Sequence, residues 1–460
     1  MAVLAVLATC AAPALARTAV AQAHGFAPRQ LVVKFAGQRS GRALALPAGA
    51  GVRQAATALR RNPRVAYAEP NYVATASALD ETPTLGIPND PGTLEGPAEA
   101  AASIGDWTFK QWNFLGWEGT TTTRLPISPG GIDAIDAWRH LEEVGRPGAE
   151  GVTVAVLDTG IAYRSLGTKF ARSPDFTSGQ FVKGYDFVDK DRMPLDENGH
   201  GTHVAGTIAE KTGNGIGLTG LAYRAKLMPV RVLDAQGRGD ATTIAKGIRF
   251  AVAQHANVIN MSFNFGCGKK VPMVDEALRE AYARGVVAVA SAGNIGSESC
   301  VSEPATGPRV IAVGGTTEGG CLGDYSLSGT AIDVVAPGGG TPLPGCASVS
   351  ARPIYQVTLK AGTTNEFTIP SDYVGTSMAS AHVSGVAAMI LASGVLGPQP
   401  TPKARVAAVT KRLRSTARSL GLPATQQGAG LIDAAAATES PPEASAPPET
   451  DAHLKQTHPS

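Results

Sequence analysis

The sequence predicts a doubly wound α/β fold, with a mostly parallel sheet flanked by helices and a small αβ domain in front of it. Two observations carry this expectation. From about residue 150, short apolar runs recur at 152–157, 226–233, 257–261, 286–290 and 310–313. Continuous apolar runs of that length suit parallel strands covered on both faces. Helical patterns fall between them at 242–255 and 274–284, the second closed by Gly285 at a C′ position. In such a fold, functional groups collect at the C-terminal ends of the strands.

Composition narrows the class. The 460 residues are 43% hydrophobic with 54 glycines, which fits a loop-rich globular protein with a large core. The formal net charge of +2 gives no reason to expect nucleic acid or an anionic membrane as partner. No uninterrupted apolar run reaches the roughly 18 residues of a membrane span. Five cysteines are present. Cys10 lies in the N-terminal apolar stretch, while Cys267, Cys300, Cys321 and Cys346 cluster without a CxxC pair. That pattern favours two disulfides over zinc, in any of three pairings.

Taken in order, residues 1–23 read as a signal peptide with small-x-small sites at Ala14-Leu15-Ala16 and Ala21-Gln22-Ala23. The stretch lacks a basic n-region, so its start is expected to be truncated. Residues 24–75 form the small αβ domain, with a strand at 30–35 and a helix at 51–61. Asn62-Pro63 breaks that helix, and a second strand follows at 64–67. Residues 76–100 read as a linker and N-terminal arm, 101–437 as the main domain, and 438–460 as a Pro-rich disordered tail.

Four motifs punctuate the main domain. Asp158 follows the 152–157 strand, in Asp158-Thr159-Gly160. His200 and His203 open an apolar helix in Asn198-Gly199-His200-Gly201-Thr202-His203. Asn294 follows the 286–290 strand in Ser291-Ala292-Gly293-Asn294. Ser377, in Gly375-Thr376-Ser377, precedes a small-residue apolar run that reads as a buried helix. There the free N–H groups and the helix dipole favour developing negative charge. Each motif alone has a plainer use: an N-capping serine, an Asn in a turn, an HxxH metal pair. Together they supply a nucleophile, a base, an orienting carboxylate and an amide donor.

The order Asp, His, Ser is that of subtilisin, distinct from the other serine-hydrolase orders. With residues 154–160, 200–206, 291–294, 375–377 and His382, the chain resembles the subtilisin-like serine proteases over roughly 89–437. The resemblance implies a serine endopeptidase made as a self-processing, secreted pre-pro-enzyme. It assigns Ser377 as nucleophile, His200 as general base, Asp158 as its orienting partner and Asn294 to the oxyanion hole. His203 is expected to be structural. It also implies polypeptide substrates, a monomer, and residues 24–75 acting as intramolecular chaperone and inhibitor. Alternatives within the same fold are a narrow-specificity processing peptidase and a catalytically silent binding module.

Further residues follow from the resemblance. Ser262, Phe263 and Asn264 fall on one substrate-binding segment and Gly237, Arg238 and Gly239 on the other. The family usually carries Ser-Leu-Gly-Gly where this chain reads Ser262-Phe263-Asn264-Phe265. Cys267 and Cys300 would flank the S1 pocket, which implies the pairs Cys267–Cys300 and Cys321–Cys346. Structural calcium is expected at two places. Asp186, Asp189 and Asp191 resemble the calcium loop of thermitase-like members, with Leu195 where that loop supplies an amide and Asp196 left to compensate. Asp175 and Asn214, the carbonyls of Thr212, Ile216 and Leu218, and Asp90 form the second expected site.

Overall fold

The computed structural model describes residues 26–38, 42–47, 49–72, 87–94, 105–118, 125–295 and 300–439. The expected signal segment, most of the linker and the tail beyond Glu439 lie outside these residues. The chain divides into two compact units, 1–84 and 85–460. The division falls inside the stretch read as linker.

In the first unit, β1 (Phe26–Phe35), β2 (Arg42–Ala45) and β3 (Val65–Tyr72) form an antiparallel sheet in the order β2-β1-β3. Leu31 and Val33 alternate onto one face and close a small core with Ala68 and with Ala56 of the Val52–Arg60 helix.

The second unit is built on β4 (Thr153–Asp158), β5 (Tyr185–Asp186), β6 (Lys226–Arg231), β7 (Val258–Met261), β8 (Val287–Ser291), β9 (Val310–Thr316) and β10 (Val334–Pro337). Their spatial order is β10-β9-β8-β7-β4-β6-β5, and every pair is parallel. All five expected strands are present. Two were not anticipated: β5 has two residues and β10 only four, ending in proline. The chain leaves β4 toward β6 and β5 on one side and toward β7 on the other, so Asp158 sits at the topological switch point.

The Thr376–Ser393 helix runs through the centre of the core, buried from Thr376 to Ile390. Its 18 residues have a mean hydropathy of 1.2, enough by length and composition to cross a membrane. This differs from the sequence-based expectation, because small polar residues interrupt the apolar letters without making the helix amphipathic. Here 83% of it is buried inside the protein. A helix apolar all round belongs in a large core as readily as in a bilayer. Gly385 lets it approach closely, since a Cβ there would lie 2.8 Å from Leu221 Cδ2. Met378, Val383, Val386, Met389 and Ile390 are each buried to 2% exposure or less. Each contributes about 1.5–3 kcal/mol of transfer free energy.

Outside the core, Cys267 and Cys300 approach to 5.8 Å at Cα, and Cys321 and Cys346 to 6.2 Å, both paired as expected.

Candidate active site

Asp158 ends β4 with no solvent exposure. Its Oδ1 accepts hydrogen bonds from Thr159 N at 2.8 Å and His200 Nδ1 at 2.7 Å. His200 is thereby held as the Nδ1–H tautomer, with no hydrogen bond at Nε2 among the described residues. Burial alone would lower the imidazole pKa. The charge and hydrogen bond of Asp158 more than reverse that, so it lies above the ordinary histidine value.

The start of the His200–Ala209 helix is fixed by Asp196, which the sequence offered only as a stand-in calcium ligand. Its Oδ1 accepts from Thr159 Oγ1, Asn198 N and Gly199 N at 2.9–3.0 Å. Its Oδ2 accepts from Thr202 N at 3.0 Å and Thr202 Oγ1 at 2.6 Å. One buried carboxylate thus ties the end of β4 to the first turn of the histidine helix. Asn198 adds to this by accepting from His200 N at 3.1 Å. Gly201 is required by close approach, since a Cβ there would lie 2.1 Å from Gly160 O.

Ser377 is the second residue of its helix, 8% exposed. Among the described residues its Oγ donates to Ser262 O at 3.0 Å, and no hydrogen bond joins it to His200. Serine–histidine contacts are often loose before substrate binds. Beside it, Asn294 Oδ1 accepts from Thr376 N at 2.9 Å and Thr376 Oγ1 at 2.7 Å. With its oxygen pinned, the amide Nδ2 is the group left to donate. Gly375 has φ +148°, and a Cβ there would lie 2.9 Å from Asn294 Nδ2. The glycine therefore makes room for the amide next to Ser377.

Beneath Ser377 lies a buried polar network that sequence reasoning missed. Ser262 Oγ lies 2.9 Å from Ser377 O, Ser380 Oγ and Asn260 Nδ2, and Ser384 Oγ donates to Asn260 Oδ1 at 2.9 Å. The available signal was polar letters at helical spacing, Ser377, Ser380 and Ser384, in an otherwise apolar helix. Ser262, Phe263 and Asn264 follow β7 directly, with the Phe263 and Phe265 rings edge to face at 6.5 Å. Gly237, Arg238 and Gly239 form a turn after β6, in which Arg238 is exposed and its N–H donates to Asp234 Oδ1 at 3.0 Å.

His203 and His382 are structural. His203 stacks on Tyr373 at 4.1 Å and donates from Nε2 to Ile354 O at 3.0 Å. His382 donates from Nδ1 to Met378 O at 2.8 Å, and Asn113 Nδ2 donates to its Nε2 at 2.8 Å. Burial lowers the pKa of His203 to about 3 and that of His382 to about 4.

The two expected calcium regions differ. Around Asp175 two buried carboxylates are gathered and held by N–H donors of the 213–218 loop. Asp90 and Asp175 are wholly buried, and burial pushes them up to about 6 and about 8. Asp175 accepts from Asn214 Nδ2 at 2.8 Å and Leu218 N at 2.9 Å, and Asp90 from Gly213 N and Asn214 N at 2.9–3.0 Å. Gly217, at φ +64°, lets the Asp175 carboxylate pack directly against its backbone, since a Cβ there would lie 2.0 Å from Oδ2. Glu210 is buried nearby with neither carboxylate oxygen hydrogen-bonded.

In the other loop the carboxylates do not meet as ligands. Asp186 Oδ2 and Asp189 Oδ2 both accept from Arg231 Nη1, at 2.9 and 2.8 Å, and Asp191 Oδ1 accepts from Met193 N at 2.7 Å. Asp196 is fully engaged at the histidine helix. Asp186 and Asp189 are instead gathered on the Arg231 guanidinium. No group of three or more metal-ligating side chains occurs among the described residues.

The family profile described as the subtilase family matches residues 149–430. The chain is 36% identical over 337 residues to the thermophilic serine proteinase of Bacillus sp. (strain AK1), covering 73% of this chain and 66% of that protein. It is 36% identical to subtilisin BL of Lederbergia lenta, over 63% of this chain and 91% of that one. In structure it superimposes on a protease from Pseudoalteromonas arctica PAMC 21717 with a TM-score of 0.58 and 29% identity, covering 76% and 98% of the two chains. The fold, the order of the motifs and these likenesses agree: the chain belongs to the subtilase family and is a subtilisin-like serine endopeptidase.

Proposed function

We propose that the enzyme cleaves polypeptides through Asp158, His200 and Ser377 by way of an acyl-enzyme. The observation that carries this is the 2.7 Å bond from His200 Nδ1 to Asp158, which leaves Nε2 as the nitrogen available to act as base. Ser377 Oγ swings from Ser262 O toward His200 Nε2 and attacks the substrate carbonyl as its proton passes to the imidazole. The new oxyanion receives hydrogen bonds from Asn294 Nδ2 and Ser377 N. Asp158 stabilises the imidazolium, which then protonates the leaving amine. Water enters by the same route in reverse and releases the acid product.

The same reading extends to the flanks. Residues 1–23 direct secretion, 24–75 serve as chaperone and inhibitor, and the chain cuts itself between about 73 and 90. Two disulfides favour an oxidising destination. Calcium is assigned to Asp90, Asp175, Asn214 and the carbonyls of Thr212, Ile216 and Leu218. When bound it would supply positive charge to two buried carboxylates and lock the loop that follows the histidine helix. A narrower variant, a processing peptidase, draws on Phe263 and Phe265 in the segment beside the nucleophile. Casein digestion separates it from a broad protease.

Ser377→Ala tests the central claim. Hydrolysis should vanish and the precursor should accumulate uncut; a variant that still matures when expressed alone refutes self-processing.

A further inference from the structure

We propose that the Arg231 guanidinium takes the place of a bound cation in the 186–191 loop, and so holds the approach to His200 without a metal. Arg231 ends β6, with a side chain only 5% exposed. Its Nη1 donates to Asp186 Oδ2 and Asp189 Oδ2, and its Nη2 to Glu197 Oε2 at 2.8 Å. Asp186 lies opposite Arg231 in the β5–β6 pairing and is 1% exposed.

Three carboxylates therefore share one internal monocation. A buried charge persists when it is paired and hydrogen-bonded, and a guanidinium offers several donors in a fixed fork. Of the remaining oxygens, Glu197 Oε1 accepts from the exposed Lys169 Nζ at 3.3 Å. Asp186 Oδ1 accepts from Val188 N and Asp189 N at 2.8–2.9 Å. A dication entering here would have to expel the guanidinium or sit beside it.

The consequence reaches the catalytic base. Glu197 adjoins Asp196, the clamp on Thr202 and Gly199, and precedes Asn198, which accepts from His200 N. Arg231 is thus a positioning residue, acting through Glu197 and Asp196 on the histidine helix. Its side chain touches neither His200 nor Ser377.

The test is calcium titration calorimetry on the mature protein, with melting curves in EGTA and in calcium. In the wild type, Asp189→Ala should leave the number of bound calcium ions unchanged. Arg231→Met keeps the stem and removes the charge, exposing the carboxylates to one another. It should bind one calcium equivalent more than wild type, and adding Asp189→Ala to it should remove that equivalent. In EGTA its Tm should fall by roughly 5–10 °C, with calcium restoring more of the loss than it adds to wild type. Its kcat should fall with KM unchanged and recover with calcium. Loss of one equivalent in the Asp189→Ala single variant would overturn the proposal, because the loop would then already hold metal. So would a folded Arg231→Met that gains none. If Arg231→Met does not fold, the Asp189→Ala comparison still decides. Asp175→Ala reports on the other site separately.

Discussion

Gly375→Ala isolates the oxyanion site without touching any group that reacts. The new Cβ would lie 2.9 Å from Asn294 Nδ2, about 0.5 Å inside ordinary contact. The amide cannot slide away freely, because its oxygen is bonded to Thr376 N and Oγ1. Relief therefore means turning Nδ2 off the oxyanion position. Losing one oxyanion donor costs about 10²–10³ in kcat, a magnitude known from the asparagine of subtilisin itself, or about 3–4 kcal/mol of transition-state stabilisation. The positive φ adds about 1 kcal/mol of backbone strain to the folded state. The assay is kcat and KM on a chromogenic peptide, with Tm in parallel. Gly375→Ala and Asn294→Ala should each lower kcat by about that factor, with little change in KM. The double variant should be no worse than either single one, since both remove the same donor. Gly375→Ala activity within about threefold of wild type would refute the reasoning, as would fully additive losses.

Three other outcomes follow from the same structure. His203 and His382 have folded pKa values depressed to about 3 and about 4, so their neutral forms stabilise the fold above the unfolded value near 6.5. That stability is lost as pH falls from 6.5 toward 4, at about 1.4 kcal/mol per pH unit for each imidazole, which urea unfolding at a series of pH values would reveal. EGTA should lower the wild-type Tm, and Asp175→Ala should abolish that site's share of the effect by mass action; an unchanged Tm and autolysis rate would reject the Asp175 assignment. Replacing Cys267 and Cys300 together by serine should cost about 2–4 kcal/mol, given a separation of 33 residues, measurable as a lower denaturant midpoint.

The parallel strands and the four motifs were legible because each is a local signal, an apolar run or a glycine-flanked functional residue. What escaped depends on pairings across the chain. Ser262 meets Ser380 over 118 residues, and Asp196 meets Thr159 over 37. The arginine at the 186–191 loop escaped for a related reason. The loop's carboxylates lie close together in sequence, while the cation that balances them lies on β6. A signal existed all the same: Arg231 is a charged letter inside the apolar run 226–233. A charge on a strand buried on both faces demands carboxylate partners.

Asp90 links the N-terminal arm to the rest of the enzyme in a way that sets a limit on trimming. Its carboxylate bonds to Gly213 and Asn214, its carbonyl accepts from Trp107 N, and Trp107 Nε1 donates to Pro88 O. Proteolysis that stops before Pro88 leaves this anchor whole. Proteolysis that passes Asp90 removes a buried carboxylate from the Asp175 region and frees two loop N–H groups at once. The arm therefore carries a fixed mark at Asp90, beyond which each lost residue loosens the loop that follows the His200–Ala209 helix.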